Sequence, residues 1–109
     1  MGRGLSDLQK FILSFALESQ GQGKNFLRSQ EILREWWGWT PPAGGSIRAT
    51  IGEDEYNSAH SSLSRALTRL WRRRLIDIWK NVAGSATGIT LTDTGAEMGR
   101  GIIAERNND

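Results

Sequence analysis

The sequence predicts an α+β chain of three helices, then a two-stranded β-hairpin, then a short closing helix. Three observations carry this. Apolar residues recur at steps of three and four up to about residue 70, and from residue 75 the pattern switches to alternation. A run of small turn-forming residues at 83–88 then leads into a second, shorter alternation. At 109 residues the chain fits one domain spanning 1–109. Such a length buries roughly two-thirds of its unfolded surface, enough for one core without disulfides.

The first helix is expected over about 6–19. Ser6 is placed to cap it and Gln9, three residues on, to complete a capping box. Leu5, Leu8, Ile12 and Phe15 form the apolar stripe, which Phe11, Ala16 and Leu17 widen until most of the helix faces protein. Gly21-Gln-Gly-Lys24 stops it. A shorter helix follows over about 30–37, with Ser29 as its N-cap, Glu31 in the first turn, Ile32, Leu33 and Trp36 on the apolar side, and Gly38 at the end. Residues 38–53 form a long Gly/Pro connection that holds both prolines, with a short strand anticipated at 47–51.

The third helix, about 54–74, is two-faced. Tyr56, Ala59, Leu63, Ala66, Leu67 and Leu70 fall on one side; Ser58, Ser61, Arg65, Thr68 and Arg72 fall on the other, with Asn57 and Arg69 flanking. The hairpin occupies 75–92. Its first strand alternates, with Ile76, Ile78 and Val82 on one face and Asp77 and Trp79 on the other. A last helix starts at Asp93 or Thr94 and runs to about 105. Gly95, Gly99 and Gly101 weaken it, so packing of Met98, Ile102 and Ile103 is expected to hold it.

Composition excludes several chemistries. There are no cysteines, so thiolate nucleophiles, disulfides and cysteine zinc sites are absent. The one histidine, His60, sits on the wheel beside Leu67 and Trp71 while Ser61 points away, so nucleophile and base diverge. A boundary histidine fits better. Glu53, Asp54 and Glu55 suit a helix N-terminus rather than acid–base work. Gly84-Ser-Ala-Thr-Gly88 lacks the Lys-Ser/Thr ending of a phosphate loop and precedes a strand. No enzyme, cofactor or metal site is therefore expected.

The longest apolar stretch, Phe11 to Leu17, is too short to span a bilayer, and no signal peptide is evident. Met1 to Ser6 fits a myristoylation pattern, but Leu5 and Ser6 serve better as a helix start. The expectation is a cytoplasmic protein with no membrane partner, either a monomer or a weak homodimer.

Net charge is only +2, but it is unevenly placed. Residues 56–80 hold Arg65, Arg69, Arg72, Arg73, Arg74 and Lys80 against Asp77 alone. Basic charge gathered on one helix is the footprint of phosphate contact. A solvated helix with a basic C-terminal end, favoured by the helix dipole, explains Arg72, Arg73 and Arg74 equally well. It does not explain Arg65, Thr68 and Arg69 facing away from the leucines. The five tryptophans divide similarly. Trp36 and Trp71 are expected in the core. Trp37 and Trp39 pack under the long connection or form an exposed patch, the former being preferred. Trp79 covers the hairpin or touches nucleic acid.

Ser64-Arg-Ala-Leu-Thr-Arg-Leu-Trp-Arg-Arg-Arg-Leu-Ile76 resembles the recognition helix and first wing strand of MarR-like regulators. Ile89-Thr-Leu-Thr-Asp-Thr-Gly95 resembles their second wing strand and the turn into the next helix. Arg74 stands where that family usually has glycine, and the connection between the second and third helices is longer than usual. The resemblance implies a winged helix-turn-helix that binds duplex DNA, with the third helix in the major groove and the hairpin wing along the backbone or minor groove. Asn57, Ser58, Ser61, Arg65, Thr68, Arg69, Arg72 and Lys80 are the candidate DNA contacts. The alternative is a protein-interaction winged helix using the third helix or the Trp37/Trp39 loop.

Overall fold

Helix α1 (Asp7–Gly21) begins as its capping residues dictate. The Ser6 hydroxyl accepts from the Gln9 N–H at 3.2 Å, and the Gln9 side-chain carbonyl accepts from the Ser6 N–H at 2.8 Å. Ile12, Leu13 and Ala16 are buried. A computed structural model of the chain describes residues 5–38, 52–82 and 86–107. The anticipated strand at 47–51, Trp39 and the hairpin tip at 83–85 lie outside them.

The short strand β1 (Leu27–Arg28) was not anticipated from the sequence, because two residues carry no detectable alternation. It feeds directly into α2 (Ser29–Trp37), whose N-cap is Arg28 rather than Ser29. The helix starts one residue early because the Glu31 carboxylate accepts the Arg28 N–H at 3.0 Å, and Ser29 is buried as its first residue. Glu31 also pairs with Lys24. Burial pushes the Glu31 carboxyl up, but the Lys24 hydrogen bond, the Arg28 N–H and the two positive charges outweigh it and hold the group below its ordinary value. Gly38 ends α2 in the left-handed conformation, φ 71°.

Helix α3 (Glu53–Arg72) carries three acidic residues in its first turn and ends two residues short of the anticipated boundary. Its C-terminus is a Schellman turn: the Leu75 N–H donates to the Leu70 carbonyl at 3.0 Å and the Arg74 N–H to that of Trp71 at 2.9 Å. Arg74 holds the left-handed position at φ 61°, where glycine is the usual occupant. Leu75 is buried beside Leu70, the apolar contact that closes such turns.

Strands β2 (Ile76–Lys80) and β3 (Ala86–Leu91) pair antiparallel, Ile76 opposite Leu91 and Ile78 opposite Ile89, with an irregularity between Trp79 and Lys80. That irregularity and the early end of β2 leave Val82 fully exposed, not on the inner face with Ile76 and Ile78. β1 adds to the other edge of β3, Leu27 opposite Ile89, giving a three-stranded sheet in the order β1-β3-β2 in place of an isolated hairpin. Gly88 lies under the Phe26 ring, and a side chain there would meet the Leu27 carbonyl oxygen at 2.8 Å.

The last helix, α4 (Asp93–Asn107), is fixed by Thr92. Its hydroxyl accepts from the Gly95 N–H at 3.0 Å, capping the helix, and donates to the Arg74 carbonyl at 2.7 Å. The Thr92 N–H donates to the Leu75 carbonyl at 3.1 Å. The expectation that Met98 holds this helix is corrected: Met98 is exposed, and the buried positions are Gly95 and Gly99. The glycines let the helix backbone approach Leu75 and Leu13, while Ile102 packs partly buried against the core. No helix among the described residues is long and apolar enough to cross a membrane.

Candidate nucleic-acid interface

The 3.6-residue repeat of α3 separates its leucines from its arginines. Ala59, Leu63, Ala66, Leu67 and Leu70 are buried against α1, α2 and the sheet. Asn57, Ser58, Ser61, Arg65, Arg69 and Arg72 are exposed on the other side. From Asn57 to Arg72 this face extends about 22 Å along the helix axis, at 1.5 Å per residue. The side chains of Arg65, Arg69 and Arg72 make no ion pair or hydrogen bond among the described residues. Unpaired guanidiniums of this kind keep all five donors for an outside anion.

Two candidates stand apart from that row. Thr68 is half-buried and its hydroxyl donates to the Ser64 carbonyl at 2.9 Å, so it offers an outside group only its acceptor lone pairs. Lys80 is not on α3 at all; it sits exposed at the end of β2, on the hairpin.

The tryptophans correct the sequence reading. Trp36 and Trp71 are not core residues: they are 40% and 52% exposed. Trp36 lies against Phe11, ring centroids 5.0 Å apart, and walls a groove of about 460 Å³ between α1 and α4. Trp37 is half-buried against the core. Trp79 is 54% exposed across from Gly88, and its indole N–H donates to the Thr90 hydroxyl at 3.1 Å, covering the outer face of the hairpin. His60 is half-buried with its ring 5.7 Å from that of Tyr56, a boundary position. The Tyr56 hydroxyl accepts from Gln30 at 3.1 Å and ties α2 to α3.

One feature beside the arginines was missed from the sequence. Ser6, Leu8 and Gln9 at the start of α1 face Ser62, Arg65 and Arg69 across a groove of about 160 Å³. The capping box locates the start of α1, but no periodicity says which neighbouring helix that start abuts.

No protein-family model matches the chain, and no curated protein matches it. Solved structures do. MepR, a transcription regulator of the Staphylococcus aureus multidrug efflux pump MepA, superposes on 95% of this chain at 14% identity with a TM-score of 0.58. Lactococcus lactis ZitR covers 96% at 13% identity (TM-score 0.57), and the YusO protein from Bacillus subtilis 96% at 20% identity (TM-score 0.57). The chain spans 59%, 55% and 57% of those three chains. The likeness establishes the fold, a winged helix-turn-helix, in which α2 and α3 are the helix-turn-helix pair and β2–β3 the wing.

Proposed function

We propose that the chain binds duplex DNA as a transcription regulator, laying α3 in the major groove with the β2–β3 wing along the backbone. One observation carries this reading: Arg65, Arg69 and Arg72 stand exposed and unpaired, among the described residues, on the face of α3 turned away from the core. The major groove admits an α-helix, and arginine both neutralises phosphate and pairs bidentately with guanine. Asn57, Ser58 and Ser61 lie on the same face, within reach of base edges. Lys80 supplies a backbone contact from the wing. The shared fold of MepR, itself a transcription regulator, supports the reading.

The test is fluorescence anisotropy of a labelled random-sequence duplex titrated with the protein between about 50 and 200 mM salt. Micromolar binding that falls steeply as salt rises is expected. Replacing Arg65→Ala together with Arg69→Ala should weaken binding for every sequence and lower the salt slope by about 2, leaving the unfolding midpoint unchanged. Unchanged affinity in that variant defeats α3 as the reading element. Absence of binding at the lowest salt defeats DNA altogether. It would leave the protein-partner alternative, which the exposed Trp71 indole on the same helix favours.

A further inference from the structure

We infer that the groove between the start of α1 and the outer face of α3 clamps one phosphodiester of the bound duplex. This rests on the DNA-binding reading above and adds a contact from a helix outside the helix-turn-helix pair. One wall of the groove carries Arg65 and Arg69, one helical turn apart and both without a partner among the described residues. The opposite wall is the N-terminus of α1. There the capping box satisfies the Ser6 and Gln9 N–H groups, leaving those of Asp7 and Leu8 with no intrahelical acceptor.

Gln9 points to the ligand. It is only 5% exposed, and its side-chain carbonyl is taken by the Ser6 N–H. Its amide Nε2 donates to nothing among the described residues. No fully buried side-chain N or O lacks a partner there, so this donor opens onto the groove that Gln9 lines. Gln9, Arg65 and Arg69 line the same groove, and a phosphate oxygen seated in it would accept from the free amide N–H and from both guanidiniums. The only acidic side chain at this end of the helix, Asp7, lines the other groove with Lys10 and Phe11. Among the described residues, the charged side chains that line the clamp are therefore both positive.

Gln9→Glu separates the clamp from the cap. A glutamate at this position closes a capping box equally well, but it removes the amide donor and sets a carboxylate against the phosphate. With the full chain and a fixed-sequence duplex in the same anisotropy assay, Gln9→Glu is expected to bind about tenfold more weakly. Its salt slope should be lower by about 1, with an unchanged unfolding midpoint. Gln20→Glu, at the far end of the same helix, makes the same charge change outside the groove and should stay within about twofold of wild type. In wild type, duplexes carrying single methylphosphonates should reveal one backbone position whose neutralisation weakens binding, and that position should be silent in Gln9→Glu. Equal effects of Gln9→Glu and Gln20→Glu, or a methylphosphonate pattern that Gln9→Glu leaves intact, overturn the clamp while leaving α3 as the reader. A wild-type chain that binds no duplex overturns both.

Discussion

Three glycines of one helix should respond to alanine with different signs. At Gly95 an added Cβ overlaps the Leu75 carbonyl oxygen and comes within 2.8 Å of its carbon and 3.3 Å of its Cα. Carbon–carbon contacts settle at about 3.5–4.0 Å, so α4 or the Leu75 peptide must retreat by about 1 Å. Neither is free to do so. Leu75 N–H and C=O are both hydrogen-bonded, to Leu70 and Thr92, and the Gly95 N–H is held by the Thr92 hydroxyl. The overpacking penalty of about 1–3 kcal/mol exceeds the ~1 kcal/mol that alanine gains in helix propensity. Gly95→Ala should therefore destabilise the fold by up to ~2 kcal/mol. At Gly99 the Cβ would sit 3.1 Å from the Leu13 carbonyl oxygen and 3.3 Å from Leu17 Cδ2, a tight fit that cancels most of the propensity gain. At Gly101 nothing lies within 4 Å, and the full gain of roughly 0.5–1 kcal/mol should appear. Urea denaturation read by tryptophan fluorescence should rank the midpoints Gly101→Ala above wild type, Gly99→Ala near it and Gly95→Ala below it. The last should fall by about 1 M. A Gly95→Ala variant as stable as wild type would refute the close approach of α4 to Leu75.

The turn between α3 and the wing gives two further tests. Arg74→Gly should raise the unfolding midpoint by the equivalent of ~1 kcal/mol, because a glycine relieves the left-handed strain at φ 61°. No gain in thermal melting would mean that the arginine side chain offsets that strain. Thr92→Val keeps the shape but loses the cap on Gly95 and the bond to the Arg74 carbonyl. A loss of ~1–3 kcal/mol is expected in urea denaturation. Glu31 has a folded pKa held below its unfolded value, so the stability it contributes is present above about pH 4.5 and is lost as pH falls through the folded value. Glu31→Gln should accordingly lower the urea midpoint at neutral pH and make its fall in acid shallower. A wild-type acid profile in that variant would exclude the carboxylate.

What the sequence discloses and what it hides divide along a physical line. The cap of α1, the end of α2 at Gly38, the two faces of α3 and the alternation of Ile76 and Ile78 are set by neighbours within a few residues and are legible in periodicity and turn chemistry, whereas residues 86–88, read as turn, pair with β2 as the first half of β3. β1 is legible only through its partner Ile89, about sixty residues away, and two residues hold no period of their own. Trp36 and Trp71 misled because a helical wheel assigns every apolar side chain at the edge of a stripe to the interior. A tryptophan there can cover a neighbour with one ring face and leave the other wet. Gly95 and Gly99 read as helix breakers because propensity prices the isolated helix; against Leu75 and Leu13 the missing Cβ is what permits contact. Of the candidate interface, the arginine row on α3 was visible. The opposing wall at Ser6 and Gln9 was not, since nothing local reports that α1 starts beside it.

The angle between α3 and the wing is the quantity a winged helix must hold constant if helix and wing are to meet one duplex together. Here it is held by backbone groups and one side-chain hydroxyl: the Schellman turn at Arg74, the Thr92 hydroxyl bridging the Arg74 carbonyl to the Gly95 N–H, and the Thr92 N–H on the Leu75 carbonyl. Of the α3 candidates, only Thr68 makes one of the fold's side-chain hydrogen bonds among the described residues, and that bond is local to the helix. On the proposed DNA-binding reading, geometry and recognition therefore reside in different residues. On that reading, substitutions at Asn57, Ser58, Ser61, Arg65, Arg69 or Arg72 are expected to change affinity and sequence preference without touching the frame. Substitutions at Thr92 or Gly95 disturb the frame, and with it every contact that needs helix and wing at once.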